Sequence, residues 1–473
     1  MIIDQYYPDP EGRAWLYKRW RNADGDLIEE HIEPDEFSPY FWIPANTSPR
    51  TIEKVIARYP GSSVDREVTA VGLDDTPLIR VNAFRPGEIF EMRDLFWRSY
   101  EADVRYQDRY LIDTISDLPE WTPRIWYFDI EAVYVGDDDK ERTTVICVYD
   151  TYSEKMSTFA WNPEQAAKKE RGEASFDYDI VERQGLFYHS YLYGSEEALL
   201  EGFLQYMDEC NPDVFVAHGA NFFDIPHLVR RLGDRYERLS PLLKVRRPLK
   251  EFYKSTEQPI MGRIVFDTSA DAERDGGGFE RVWKDSGHGK FPNRKLNTIA
   301  QELGLGAKHD VDASDWTIWE GTHPDITFDD YVDYCVQDVI LLRDIDERLH
   351  ALDFFLAMQR FCGVCFESTH RVTHFARGLL GRRTGKKARS RCKEERPKLK
   401  GAHIPPPAPG RYEGVAALDF KGLYPSIILS YNLSWETLLN TEPIGNPDNY
   451  RIAPNGTCWD QCEQGLLPSI VEY

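Results

Sequence analysis

The hexapeptide Trp126-Tyr127-Phe128-Asp129-Ile130-Glu131 sets two carboxylates two positions apart inside a run of aromatic and β-branched residues. Such a run reads as a strand, and side chains two apart on a strand share a face, so Asp129 and Glu131 project together. Two neighbouring acids on the edge of a buried sheet repel each other unless a cation lies between them, which points to a divalent metal. The same residues also suit a half-exposed strand with an acidic face. Carboxylates further along the chain weigh toward the metal.

Residues 212–217 form a short, largely apolar strand that runs into His218-Gly219-Ala220-Asn221-Phe222-Phe223-Asp224. Asp224 falls where a loop meets a helix, as a residue serving the site of the first strand or as a helix N-cap. Residues 329–349 predict a helix on which Tyr334 and Asp338 lie one turn apart on one face, a spacing that solvated helices also show. Residues 143–151 predict a second strand and 199–209 an amphipathic helix. Strand, helix and strand in this order predict a mixed α/β domain with its site at strand ends. Near the far end, Val415-Ala416-Ala417-Leu418-Asp419 reads as a buried strand ending in an acid, followed by a helix with Pro425 in its first turn. An ionised Asp419 leaving such a run needs a partner, and metal is one candidate.

Residues 1–108 alternate short strands with turn clusters and suggest a scaffold or binding domain. Residues 109–113 lead into the first strand, residues 245–267 read as two strands joined near 255–259, and the Gly-rich, charged stretch 271–293 reads as an inserted surface loop. Residues 350–361 predict a connecting helix. A net charge of −23 argues against a protein that coats nucleic acid, so a local grip is needed for any such role. Residues 377–400 provide one, with eleven Lys or Arg, among them Arg382, Arg383, Lys386 and Lys387, against two acids. The eight cysteines lack regular spacing and suit reduced thiols. Cys362, Cys365, Cys458 and Cys462 offer a zinc alternative without a knuckle context. No apolar run is long enough to span a membrane and the first residues lack a signal-peptide pattern, so an intracellular, membrane-free location is expected.

Taken together, these motifs carry a resemblance. Phe128-Asp129-Ile130-Glu131, Phe223-Asp224 with its following Ile-Pro, and Tyr334-Cys335-Val336-Gln337-Asp338 resemble, in order, the three proofreading exonuclease motifs of family B DNA polymerases. Asp419-Phe420-Lys421-Gly422-Leu423-Tyr424-Pro425-Ser426 resembles the family's first palm motif. Gly401-Ala402-His403-Ile404 is similar to the link between the two activities, and residues 103–113 to the run into the exonuclease domain.

The resemblance implies a β-rich N-terminal domain (1–108), a ribonuclease H-like 3′–5′ exonuclease domain with a mixed sheet (109–348), a helical connector and basic tract (349–400) and a partial palm with the start of the fingers (401–473). It implies that Asp129, Glu131, Asp224 and Asp338 hold two Mg²⁺ or Mn²⁺ ions and that Tyr334 orients the attacking water. It implies that Asp419 serves the metals of an incoming deoxynucleoside triphosphate, with Leu423 and Tyr424 contacting the nucleotide and Tyr424 excluding a 2′-hydroxyl. Phe223, Arg382, Arg383, Lys386 and Lys387 are implied to touch single-stranded and primer-template DNA, and the 245–267 hairpin to help part the strands. A sliding clamp is an implied partner.

Two residues depart from the family pattern: Gly219 stands where an Asn is usual, and Gly422 where a Ser is commoner. The later palm motif with its Asp-Thr-Asp, the Lys-rich fingers helix and the thumb have no counterpart here. The expectation is therefore the N-terminal piece of a split or truncated polymerase, with a working exonuclease and a second chain required for polymerisation. Its rivals are a free-standing 3′–5′ exonuclease and a catalytically idle DNA- or partner-binding remnant.

Overall fold

Strand-forming residues at the N-terminus pair locally, β1 (Ile2–Tyr6) with β2 (Trp15–Arg21) and β2 with β3 (Leu27–Ile32), in an antiparallel sheet. A second small sheet follows, from β4 (Tyr40–Pro44), β5 (Ser63–Val71) and β6 (Pro77–Asn82) in the order β4-β6-β5. The computed structural model describes every residue except 9, 135–140, 172–180, 184–185, 249, 307–314, 391–404, 421, 440–445 and 473. The basic tract from residue 391 onward and Gly401-Ala402-His403-Ile404 lie outside the described residues. Two compact units emerge, Met1–Phe37 with Arg105–Leu379, and Ser38–Val104 with Leu380–Tyr473. This division cuts across the segments 1–108, 109–348, 349–400 and 401–473, because β1 to β3 fold with the residues after 104.

In the unit that holds β4 to β6, Phe41, Ile43, Ile79 and Val81 bury against the helix Pro49–Arg58. The described part of the basic tract is tied to the same unit by its backbone. Lys387 N donates to Val71 O at 2.9 Å and Lys387 O accepts from Leu73 N at 3.0 Å.

The other unit is built on seven strands: β7 (Ile125–Tyr134), β8 (Glu141–Asp150), β9 (Lys155–Trp161), β10 (Val181–Arg183), β11 (Leu186–Tyr193), β12 (Val214–Ala217) and β13 (Ile264–Asp267). Their order is β10-β11-β9-β8-β7-β12-β13. The sheet is mixed, as expected: β8 is antiparallel to both its neighbours, while β7, β12 and β13 run parallel. Apolar strands such as β12, buried at every position, are what a sheet covered on both faces requires. The helix Glu196–Cys210 packs its Leu199, Leu200, Phe203, Leu204 and Met207 face on this core. Ser195 caps its start and Asn211, at φ 47°, ends it. The 22-residue helix Phe328–Leu349 begins at a Thr327–Asp330 capping box and packs against β7 and β8.

Three local expectations are corrected. Residues 109–113 lie in a helix, Tyr106–Thr114, whose buried Asp108 carboxylate accepts from Cys365 N at 2.8 Å and Ser368 Oγ at 2.7 Å. The hairpin over 245–267 reduces to one isolated bridge, Val245 to Ile260, because the residues expected as its second strand pair instead with β12 as β13. Stretch 271–293 is no surface loop: it contains the helix Gly278–Asp285, with Phe279, Val282 and Phe291 in the core. Glycine makes this possible, since Gly278 sits at φ 72° and a Cβ there would meet Ala270 O at 2.5 Å.

At the start of the parallel strands, Asp213 is fully buried between two arginines of β2. Arg19 Nε donates to its Oδ1 at 2.9 Å, Arg21 Nε to its Oδ2 at 2.6 Å, and Arg124 N to Oδ2 at 2.8 Å. Truncating one partner of such a network strands the buried opposite charges. Asp213→Ala is expected to cost about 3–5 kcal/mol of stability, seen as a lowered urea midpoint.

Candidate metal centre

The parallel arrangement of β7, β12 and β13 delivers acids to one edge of the sheet. Asp129 and Glu131 lie on β7 beyond its pairing with β12, which ends at Tyr127–Val216. A register shift between Glu131 and Ala132 bends the strand just after the second acid. One carboxylate oxygen of Asp129, one of Glu131 and the Cys335 sulfur all lie within 4.8 Å of one another. The shared strand face is therefore real, and both acids are half-buried. Thr144 Oγ1 donates to Glu131 O at 2.9 Å and lies 2.7 Å from the buried Tyr331 hydroxyl, fixing the backbone beneath the site. Cys335 Sγ approaches Asp129 O at 3.7 Å and Oδ2 at 3.9 Å, which places the helix Phe328–Leu349 over the pair.

Asp224 is the first residue of the helix Asp224–Arg231 and is 3 % exposed. Phe223 occupies the N-cap position, so Asp224 is not the cap. Burial holds the Asp224 carboxyl well above the usual carboxylate range, and the charges of Asp129 and Asp267 push it the same way. Asp338, also buried, lies three residues after Cys335 on the long helix, and Tyr334 is half-buried one turn before Asp338. Gly219 has φ 110°, a conformation in which an L side chain is strained although no atom stands in its way.

Asp267 was not anticipated, although Ile264-Val265-Phe266-Asp267 repeats the pattern of an apolar strand ending in an acid. Its Oδ1 accepts from Gly219 N at 3.1 Å and from Ser269 N and Oγ at 3.0 and 2.7 Å, and its Oδ2 accepts from Asn221 N at 3.1 Å. Asp267 thus pins the loop that leads into Asp224. Burial raises its carboxyl as well, partly offset by these hydrogen bonds.

The family described as DNA polymerase family B, exonuclease domain, matches residues 91–299, and the one described as DNA polymerase family B matches residues 371–473. The chain is homologous to the N-terminal part of family B DNA polymerases. It is 24% identical to a DNA polymerase delta catalytic subunit of Dictyostelium discoideum over 86% of its own length and 42% of that protein. It is 22% identical to DNA polymerase 1 of Pyrococcus abyssi over 89% of its length and 50% of that protein. The fold matches a family B DNA polymerase of Pyrobaculum calidifontis with a TM-score of 0.65 and 20% identity, over the whole chain and 62% of that structure. The chain thus spans half or less of these two curated relatives.

The other residues singled out in the sequence are distributed as follows. Phe223 is half-buried and stacks on His227, whereas its neighbour Phe222 is 67 % exposed. Lys386 Nζ pairs with Asp75 at 2.8 Å, and Lys387 Nζ lies 3.9 Å from Glu101 and 4.5 Å from the Trp42 ring centre. Arg382 and Arg383 lie in the last turn of the helix Val372–Thr384. In the palm segment the helix Leu423–Tyr431 forms as expected, with Gly422 at φ 66° before it. The strand expected over 415–418 does not: residues 411–420 have no sheet partner among the described residues, and Val415, Leu418, Phe420 and Tyr424 are exposed. Asp419 is exposed with them.

A carboxyl whose folded pKa is raised favours the protonated fold, and its stabilisation is lost as pH rises through that folded value. At neutral pH without metal, Asp224 therefore weighs against folding. Asp224→Asn is expected to raise the melting temperature in EDTA at pH 7.5, by about 1–2 °C for each kcal/mol relieved. Mg²⁺ should stabilise the wild type more than the variant.

Proposed function

We propose that this chain is a 3′–5′ exonuclease joined to the first part of a polymerase palm, and that polymerisation needs further polypeptide. The observation that carries the exonuclease is the closeness of the Asp129 and Glu131 carboxylates on β7, with the buried Asp224 near enough that the charge of Asp129 adds to burial in raising its carboxyl. Such a set fits hard divalent ions, which take oxygen donors. Asp129, Glu131, Asp224 and Asp338 would hold two Mg²⁺ or Mn²⁺ ions. When bound, the ions activate water and neutralise the charge that develops on the phosphate.

The protein's own groups supply the rest. Asp267 keeps the 218–224 loop in place and so fixes where the Asp224 carboxylate meets the site. Tyr334, one turn before Asp338, would orient the attacking water by its hydroxyl. The idle-remnant reading is disfavoured, because all four carboxylates are present and the covering helix is seated on β7. Asp419, Leu423 and Tyr424 would serve an incoming nucleotide, and Arg382 and Arg383 would contact DNA. The exposed apolar side chains of Val415, Leu418, Phe420 and Tyr424 support a palm that is completed by a strand from elsewhere.

The test is degradation of a labelled single strand with Mg²⁺, with a primed template and deoxynucleoside triphosphates in parallel. Shortening from the 3′ end, reduced on the order of 10³-fold in Asp129→Ala, with no primer extension, is expected. Robust extension by this chain alone would overturn the palm reading.

A further inference from the structure

The acids of β7 share their face of the sheet with sulfur. β8 runs antiparallel to β7 and sets Cys147 directly opposite Asp129, and the side chains of such a pair stand next to each other on one face. From the other side, the helix Phe328–Leu349 brings Cys335 to the same spot, with its Sγ 3.7 Å from Asp129 O and 3.9 Å from Asp129 Oδ2. The two thiols are in hydrogen-bonding contact, and both are fully buried. Two carboxylates and two thiols, delivered by two strands and one helix, therefore meet in one place.

A buried thiol is ordinarily a small apolar filler. This pair differs in what it faces. One oxygen of Asp129, one of Glu131 and the Cys335 sulfur lie within 4.8 Å of one another. Ordinary Zn–S and Zn–O bonds in a tetrahedron set sulfur and oxygen about 3.6 Å apart. The 3.9 Å between Cys335 Sγ and Asp129 Oδ2 is close to that edge, so the donors stand near the positions a tetrahedral ion needs.

Donor chemistry then selects the ion. Mg²⁺ takes oxygen and keeps part of its water, so a sulfur adds nothing to its binding. Zn²⁺ and other thiophilic divalent ions accept Cys sulfur and carboxylate oxygen together, and each thiol that ligates gives up its proton to solvent. The half-buried acids form the open side of the set and the buried thiols its floor. We propose that Asp129, Glu131 and Cys335, with Cys147 behind Cys335 as a fourth donor, form a site for a thiophilic divalent cation such as Zn²⁺, whose capture withdraws the two acids from Mg²⁺. The consequence, inhibition, rests on the exonuclease reading, whereas the binding does not depend on hydrolysis.

The test is a titration of the reduced, metal-free chain with Cd²⁺, which stands in for Zn²⁺ and reports thiolate ligation by its ultraviolet charge-transfer absorption. The absorption is expected to saturate at one ion per chain, to disappear with excess Zn²⁺ and to persist in the same excess of Mg²⁺. Cys335→Ser should weaken Cd²⁺ binding by at least about 100-fold, the upper end of what losing a residue one step removed from a metal costs. Cys335→Ala, which adds no polar group to the core, should show the same loss, and melting curves verify the fold of each variant. Replacing the exposed Cys462 by Ser should change nothing. In parallel, Zn²⁺ should inhibit Mg²⁺-dependent shortening of a labelled single strand at lower concentration in the wild type than in Cys335→Ser, each compared with its own rate without Zn²⁺. No charge-transfer absorption, absorption indifferent to Cys335, or its loss in Mg²⁺ would overturn the site. Cys335-dependent absorption in a chain that fails to hydrolyse with Mg²⁺ would sink the exonuclease reading and leave the site standing. Hydrolysis without the absorption would do the reverse.

Discussion

Like charges gathered at one end of a sheet are the constraint around which the larger unit is organised. β7, β12 and β13 run parallel, so whatever acids their sequences place late in the strand or just after it arrive at the same edge. Asp129, Glu131, Asp224 and Asp267 all come from such positions. A fold that buries them without compensation is penalised by desolvation and by their mutual repulsion. The raised Asp224 carboxyl is the local sign of that penalty. A bound cation removes it, which is how an otherwise destabilising arrangement becomes a functional one.

The opposite ends of the same strands hold the complementary solution. Arg124 precedes β7, Asp213 precedes β12 and Arg263 precedes β13, and Arg19 and Arg21 reach in from β2. Arg124 also holds the buried Asp150 at the end of β8, at 2.6 Å. Arg263 is so enclosed that burial, followed by the charge of Arg19, lowers its pKa to about 9. There each buried acid is met by arginines of the protein, Arg263 donates to the carbonyls of Leu239 and Pro212, and no added cation is needed. One end of the sheet is a closed electrostatic lock, and the other is left open. This difference explains why the N-terminal strands fold with the exonuclease unit: β2 contributes two of the lock's arginines.

Much of this was legible in the sequence because it rests on periodicity. Two acids at a spacing of two on an apolar strand, and a tyrosine and an acid at a spacing of four on a capped helix, keep their meaning whatever surrounds them. Asp267 carried the same signal and was overlooked because its strand was assigned to a hairpin. Deciding between β12 and a hairpin partner depends on long-range pairing, which spacing does not encode. The 271–293 stretch misled for a related reason: its glycines mark close backbone approach, as at Gly278 against Ala270, and not a loop in solvent. Loop side chains were least legible. Nothing in Phe222-Phe223 reveals that the first ring is exposed and the second packs on His227. The 415–418 strand failed for want of a pairing partner among the described residues, since an apolar run forms a strand only where another strand receives it.

The central claim is that the clustered carboxylates are built for cations, and counting bound Mn²⁺ by electron paramagnetic resonance tests it most directly. Titrated into the metal-free wild type, Mn²⁺ should bind at two sites, whose coupling shows them to be neighbours about 4 Å apart, and one or both should be lost in Asp224→Asn. Binding at no site, or binding that is indifferent to Asp129, Glu131 and Asp224, would contradict the account.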